Sequence, residues 1–434
     1  MFNYQNVFTK IWLSEKSVSF LIFAGILSSI LLRDPSVYLR AEFWAEDCID
    51  FFKASHELGI KSLFTPIWGY NFFLGRSIAY VSTFFPIVWT PTIYSVSTLL
   101  ILSYCIGYFC RDGFKWVIRN KFQRFLFCLL IVTGQGQEVF WALCNIYPPL
   151  TLFGFLLLLE KPWPPSRLKM FGIFLISISS GVMFAVIPLV VFMIYLTRKN
   201  EYYIILFIIL GVSIYNLFGT TTSDSLVVKT GELKLSNIYF LPELLLKNFV
   251  TRLLIIPFLG QSSLQLLSKP YFFELSIILF ALFFYQLFKL KILNEKKFYL
   301  IFIFYSSTIA ILGVVALVRS SSIVVLNIGS GLFWGIRYFF LPSVSAIFFW
   351  GFIISKQLRG RVVLNSFILL VILFSTNLLN WKAGFVRPDL RWKEEVAPKL
   401  QKSLHESKSG NGINQSMSFP VHPNWTCTVS LISK

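Results

Sequence analysis

Five carboxylates crowd into residues 42–57 of a chain that is otherwise largely apolar: Glu42, Glu46, Asp47, Asp50 and Glu57. They directly follow the first hydrophobic stretch, and Trp44 stands beside the adjacent pair Glu46–Asp47. A carboxylate held partly out of water can act as the general base that activates an attacking hydroxyl. Adjacent residues of a helix point about 100° apart, so this pair is not expected to act as a symmetric dyad. One acid would face the reacting group and the other would orient it. A structural account competes, since acids near a helix N-terminus also favour the helix dipole and solvate an interfacial helix.

Arg76, Arg252 and Arg337 form a second set, each at the edge of an apolar stretch. A planar guanidinium matches phosphate oxygens two at a time, although arginines also snorkel at membrane boundaries with no ligand. Glu138, Trp141 and Asn145 interrupt the apolar run near residues 135–149 and suit either a sugar-binding patch or a re-entrant polar turn. His56, His405 and His422 lack metal-ligand spacing, so neither a metal nor another cofactor is expected. The six cysteines show no CxxC spacing, and most lie in apolar runs as small buried hydrophobes; a Cys48–Cys427 bridge is open if both lie outside the membrane.

These residues must be positioned by membrane helices. The 434-residue chain is 56% hydrophobic and 18% aromatic, with a mean hydropathy of +0.70. Crossing a bilayer takes roughly 20 apolar residues, and stretch after stretch here qualifies. The fold class is therefore an all-α polytopic membrane protein with about 11 spans. Lys10 and Lys16 precede an apolar run without a small-residue cleavage site, so Ser17–Leu32 is read as a retained first span. Residues 33–80 form a large first outer loop, in which Glu46–Leu58 reads as an amphipathic interfacial helix stopped by Gly59. The uncharged run 78–109 is too long for one span and divides near Pro86 or Pro91. Met170–Thr197 has basic clusters at both ends, which calls for two short helices turning near Ser180-Gly181. Residues 220–271 and 320–335 are expected as outer loops, and 362–379 as the last span. Residues 1–379 thus make the transmembrane domain and 380–434 a small outer tail with a strand or two.

The net charge of +19 does not imply nucleic acid, because the charges sit in short segments between apolar runs. The segments assigned to the cytoplasm hold 19 of the 39 Lys and Arg but only the acids Glu15, Asp112, Glu160, Glu201 and Glu295. That bias places the N-terminus inside and the C-terminus outside.

The stretch Phe43-Trp-Ala-Glu-Asp47, with Phe51-Phe52, Ala54, Gly59, Pro66, Gly69-Tyr70 and Arg76, resembles the first-loop signature of bacterial GT-C glycosyltransferases. Glu138 with Asn145, Arg337-Tyr338 and the ending Phe419-Pro-Val-His-Pro-Asn-Trp425 are similar to that family too, and the nearest functional group is the phage serotype-conversion O-antigen glucosyltransferases. Cys48 departs from the family, which usually has Gly there, and so does Trp68 before Gly69. The resemblance implies an enzyme of the bacterial inner membrane. It would invert the sugar it transfers from a polyprenyl-phosphate donor to a periplasmic glycan such as the O-antigen of lipopolysaccharide, without a metal. It implies Glu46 or Asp47 as base, and Arg337, Arg76 and Arg252 on the donor phosphate. Trp44, Tyr70, Glu138, Trp141, Asn145 and Tyr338 would contact sugar or acceptor. A small flippase and a donor-lipid synthase are the partners it implies. The rival readings are a transporter or flippase, which would need charges at mid-membrane, and an O-antigen polymerase, which would carry its arginine-bearing loop late in the chain.

Overall fold

A computed structural model describes residues 15–66, 71–134, 138–222, 235–256, 269, 271–290, 292–318, 336–357, 364, 390–408, 415–422 and 425–431. Tyr70, all of the expected last span 362–379 except residue 364, the expected outer loop 320–335 and residues 409–414 of the tail lie outside them.

The described chain is mostly helical. Helix α1 (Glu15–Arg33) lies against α2 (Thr90–Gly107) and α3 (Lys121–Gly134), and α4 (Tyr147–Leu159) packs on α2. Then come α5 (Arg167–Ser177), α6 (Ile187–Thr197), α7 (Asn200–Thr222), α8 (Leu241–Val250), α9 (Phe272–Lys289), α10 (Lys296–Val318) and α11 (Ile336–Gln357). Among the described residues, four segments are long and apolar enough to cross a membrane: Ile87–Cys110, Phe272–Lys289, Lys296–Leu317 and Arg337–Lys356. Shorter apolar helices accompany them at Ser17–Arg33, Leu143–Leu159, Met183–Thr197 and Asn200–Asn216. Large apolar side chains such as Phe20, Phe207, Ile278 and Phe288 point outward, as on a lipid-facing surface.

The starts of these helices follow from the sequence. Pro91, Pro149, Pro188 and Pro242 sit in or just after the first turns of α2, α4, α6 and α8. There the missing N–H costs nothing and the fixed φ suits the helix. The run 78–109 divides as expected, into a helix Phe73–Ser82, a 3-10 turn Ile87–Trp89 and α2. Met170–Thr197 likewise folds as the pair α5 and α6. Ser180 pins their turn, sharing a hydroxyl contact with Thr151 at 2.6 Å and donating to the Tyr147 carbonyl at 3.1 Å. A buried turn is tolerated because its polar groups are met by protein.

The segment 220–271, expected as a loop, is partly helical: α8 continues as a π-turn Thr251–Ile255 and packs on α9 and α10. Leu241, Leu244 and Leu245 give it an apolar face at i, i+3, i+4 spacing that the run of polar residues before it conceals.

The first loop departs from expectation more instructively. Its helix begins as a π-wound turn, Asp47–Phe52, runs on through Lys53–Leu58 and stops at Gly59, whose φ of 57° is a conformation only glycine takes readily. The periodicity puts Cys48, Phe51, Phe52, Ser55 and Leu58 on one face; the first four are buried, and Leu58, at the end of the helix, is 41% exposed. The acidic back is buried as well, instead of facing water: Glu42, Glu46 and Asp47 are 7%, 7% and 3% exposed. The cover comes from residues about 100 and 380 positions away, which a local pattern does not see.

Part of that cover is the tail. A helix Ala397–Lys408 precedes two antiparallel strands, β1 (Gln415–Val421) and β2 (Trp425–Leu431), paired with Phe419 opposite Cys427. Cys427 is disulfide-bonded to Cys48. His422 Nε2 lies 2.6 Å from Glu42 Oε2, and its backbone N–H donates to the Phe43 carbonyl. Trp392 packs edge-on to Phe43 and against Phe419. The hairpin is thus stapled over the acidic loop. Because the bond closes a separation of 379 residues, Cys427→Ser is expected to cost about 2–5 kcal/mol. Limited proteolysis of the inserted protein reads this as faster cleavage within 390–434; unchanged cleavage would show that the hairpin holds without the bond.

Candidate active site

Glu46 ends the approach to the π-turn, and its Oε1 accepts from Arg337 Nη1 at 3.2 Å. The same nitrogen donates to Asn145 Oδ1 at 3.1 Å. Asn145 is fully buried on the 3-10 turn Leu143–Ile146, and Arg337 is the second residue of α11. Three distant segments therefore place a carboxylate, a guanidinium and an amide at one point.

Asp47 faces elsewhere. Its two oxygens accept from the backbone N–H groups of Leu143 at 3.0 Å and Cys144 at 2.8 Å. Those are the first N–H groups of the turn that carries Asn145, and a short helix leaves them without partners of its own. Asp47 is thus a positioning residue that caps the turn from across the loop. Burial pushes its carboxyl up to about 7, against the two backbone donors that favour its charged form. The roughly 100° divergence expected of the adjacent pair is what separates the two tasks.

Arg76 donates from Nη1 to the Asp50 carbonyl and from Nη2 to the Thr65 carbonyl, with its guanidinium over the Phe51 ring at 5.5 Å. It braces the loop, and burial lowers its pKa to about 10. Arg252 is buried in the π-turn after α8, 4.0 Å over the ring of Phe339, two residues beyond Arg337. Its Nε and Nη2 have no hydrogen-bond partner among the described residues. Trp44 and Trp141 are buried with ring centroids 6.5 Å apart, and the half-buried Tyr338 ring lies 5.6 Å from the Arg337 guanidinium. Glu138 opens the short helix that ends at Trp141.

Asp50 belongs to this group although the sequence reading passed it over. It stands four residues after Glu46, the spacing that puts two side chains on one helix face. Burial pushes it up to about 7, with Arg76 and Arg337 drawing it down and Glu46 raising it further. Glu42 joins for a different reason: it accepts from the Leu390 N–H at 2.6 Å and holds His422, a pairing no local pattern predicts.

The raised Asp50 pKa sets a pH dependence. Its proton is bound more tightly in the folded state, so the contribution is fully present below about 3.8 and is lost as pH rises through about 7. Thermal melts from pH 4 to 8 should show stability falling over that window, more steeply in wild type than in Asp50→Asn. Identical slopes would remove Asp50 as a contributor.

Arg337 divides its hydrogen bonds between a charged and a neutral acceptor, so an arriving anion competes with Glu46 for it. No family model, no curated protein and no solved structure matches this chain.

Proposed function

We propose that this protein transfers a hexose, most simply glucose, from a polyprenyl-phosphate donor to a surface glycan such as the O-antigen of lipopolysaccharide. The single observation that carries this reading is the convergence of Glu46, Arg337 and Asn145 at one buried point beside the Trp44–Trp141 pair. In the proposed reaction an acceptor hydroxyl oxygen attacks the anomeric carbon and its proton passes to Glu46. The bond from that carbon to the phosphate oxygen breaks, and the departing polyprenyl phosphate keeps the electron pair. Arg337 turns from Glu46 to this phosphate, where it stabilises charge that develops as the bond breaks. Arg252 and Arg76 stand as supporting cations. Attack opposite the leaving group inverts the anomeric centre. Tyr338, half-buried beside Arg337, offers a flat apolar face against which a sugar ring packs, while the buried Trp44 and Trp141 would contact the sugar only on rearrangement.

In this reading the chain makes about 11 spans in the bacterial cytoplasmic membrane, with the N-terminus inside and both first loop and tail in the periplasm. The Cys48–Cys427 disulfide supports that placement, since such bonds persist in oxidising compartments. A donor-lipid synthase and a small flippase would supply the donor.

The test presents membranes carrying the protein with radiolabelled polyprenyl-phosphate glucose and lipopolysaccharide. Label is expected in the glycan in single additions. Label in lengthened repeat chains would favour a polymerase, and no transfer with any hexose donor would overturn the reading and turn attention to transport.

A further inference from the structure

At the end of the bundle away from the carboxylates, α1 and α2 leave between them a cavity of about 820 Å³. Chain direction fixes its place. Helix α1 runs toward the acidic loop and α2 runs away from it, so the 18 residues of α2 set the two regions about 27 Å apart. The cavity is therefore separate from the proposed transfer site.

One side of it is apolar. Phe20, Phe23 and Tyr104 line it, and Phe20 and Tyr104 also open outward, at 68% and 51% exposure. The other end carries Arg111, Lys121 and Lys161. The two acids at this end are already compensated. Glu160, buried, is met by Arg111 at 2.7 Å, Lys169 at 2.6 Å and the Tyr108 hydroxyl. Asp112 is met by Lys115 at 2.9 Å and Arg124 at 3.3 Å. The lining itself holds three cations, Arg111, Lys121 and Lys161, against these two carboxylates, and Lys121 and Lys161 pair with no carboxylate among the described residues. A positive-inside bias alone would need only lysines somewhere in the loop. Here they are gathered at the mouth of a cavity whose opposite wall is aromatic, of a size typical of small-molecule sites, roughly 300–1,000 Å³.

We propose that this cavity seats an anionic glycerophospholipid of the leaflet at this end of the bundle. Its phosphate lies among Arg111, Lys121 and Lys161, and its chains run along Phe20, Phe23 and Tyr104. Charge complementarity selects an anionic headgroup over a zwitterionic one, because Lys121 and Lys161 meet no carboxylate among the described residues and Lys161 lies only against the Trp163 ring, at 4.9 Å.

Native mass spectrometry of the purified full-length protein, loaded with phosphatidylglycerol or phosphatidylethanolamine, tests this. Wild type is expected to retain phosphatidylglycerol about tenfold better or more, at roughly 1 kcal/mol per surface cation. The double variant Lys121→Gln, Lys161→Gln should lose that preference, while Lys399→Gln, Lys402→Gln on the tail helix should keep it. Equal retention of both lipids by wild type, or full retention by the first variant, overturns the proposal. A separate thermal-shift arm uses inorganic phosphate alone; stabilisation equal to the lipid's would make this a free-phosphate site and also overturn it.

Discussion

Glu46→Gln is expected to lower the transfer rate by about 10²–10⁴-fold, the usual contribution of a positioned general base. Glutamine keeps the shape and still accepts from Arg337, so the hydrogen bond at 3.2 Å survives while the proton acceptor is lost. Donor binding should change little and the chemical step should carry the loss. Asp47→Asn should behave differently. An amide presents one oxygen to two backbone donors, so either the Leu143 or the Cys144 N–H loses its partner. A buried donor left unsatisfied costs about 1–3 kcal/mol, which lowers the melting temperature and loosens the turn beneath Asn145. A rate loss in Glu46→Gln far beyond the stability lost by leaving the Arg337 charge without its carboxylate, against mainly stability loss in Asp47→Asn, is the pattern to look for. The reverse pattern would exchange their roles.

Arg337→Gln is expected to reduce transfer by about 10²–10³-fold, the scale of removing one donor that stabilises developing negative charge. Much of this should appear as weaker donor binding, since Arg337 would meet the phosphate before the bond breaks. Arg337→Lys should recover only part of the rate: a lysine nitrogen can replace the contacts that Nη1 alone makes to Glu46 and Asn145, but it lacks the planar fork that holds two phosphate oxygens at once. Removing the cation also leaves Glu46 buried without its partner, so melting temperatures must accompany the rates. A variant as stable and as active as wild type would take the phosphate away from Arg337.

Much of the helical layout was legible because it rests on local physics. The prolines at helix starts, the uncharged run 78–109 and the paired helices around Ser180 each leave a mark within about 30 residues. The acidic loop was legible as a crowding of carboxylates, but its burial was not. Its cover is made by the turn Leu143–Ile146, by α11 and by the tail hairpin, so Glu46 meets a residue 291 positions away and Glu42 one 380 away. The same distance effect decides the Cys48–Cys427 bond, which spacing left open and which the docking of the hairpin brings about. Asp50 could have been found, since its i+4 relation to Glu46 is visible in the sequence. Arg76 was expected at a membrane edge, on a phosphate or snorkelling; its burial and its carbonyl partners Asp50 and Thr65 follow from the path of the loop and not from residue type.

In the proposed reaction Glu46, and not a neighbouring acid, takes the proton during glycosyl transfer. The most direct measurement is the initial rate of glucose transfer from polyprenyl phosphate to lipopolysaccharide by wild type, Glu46→Gln and Asp50→Asn, in membranes matched for inserted protein. The account predicts near-background transfer by Glu46→Gln and a retained rate, with at most a shifted pH profile, for Asp50→Asn. Full transfer by Glu46→Gln with loss in Asp50→Asn would contradict it and move the base four residues along the same helix face.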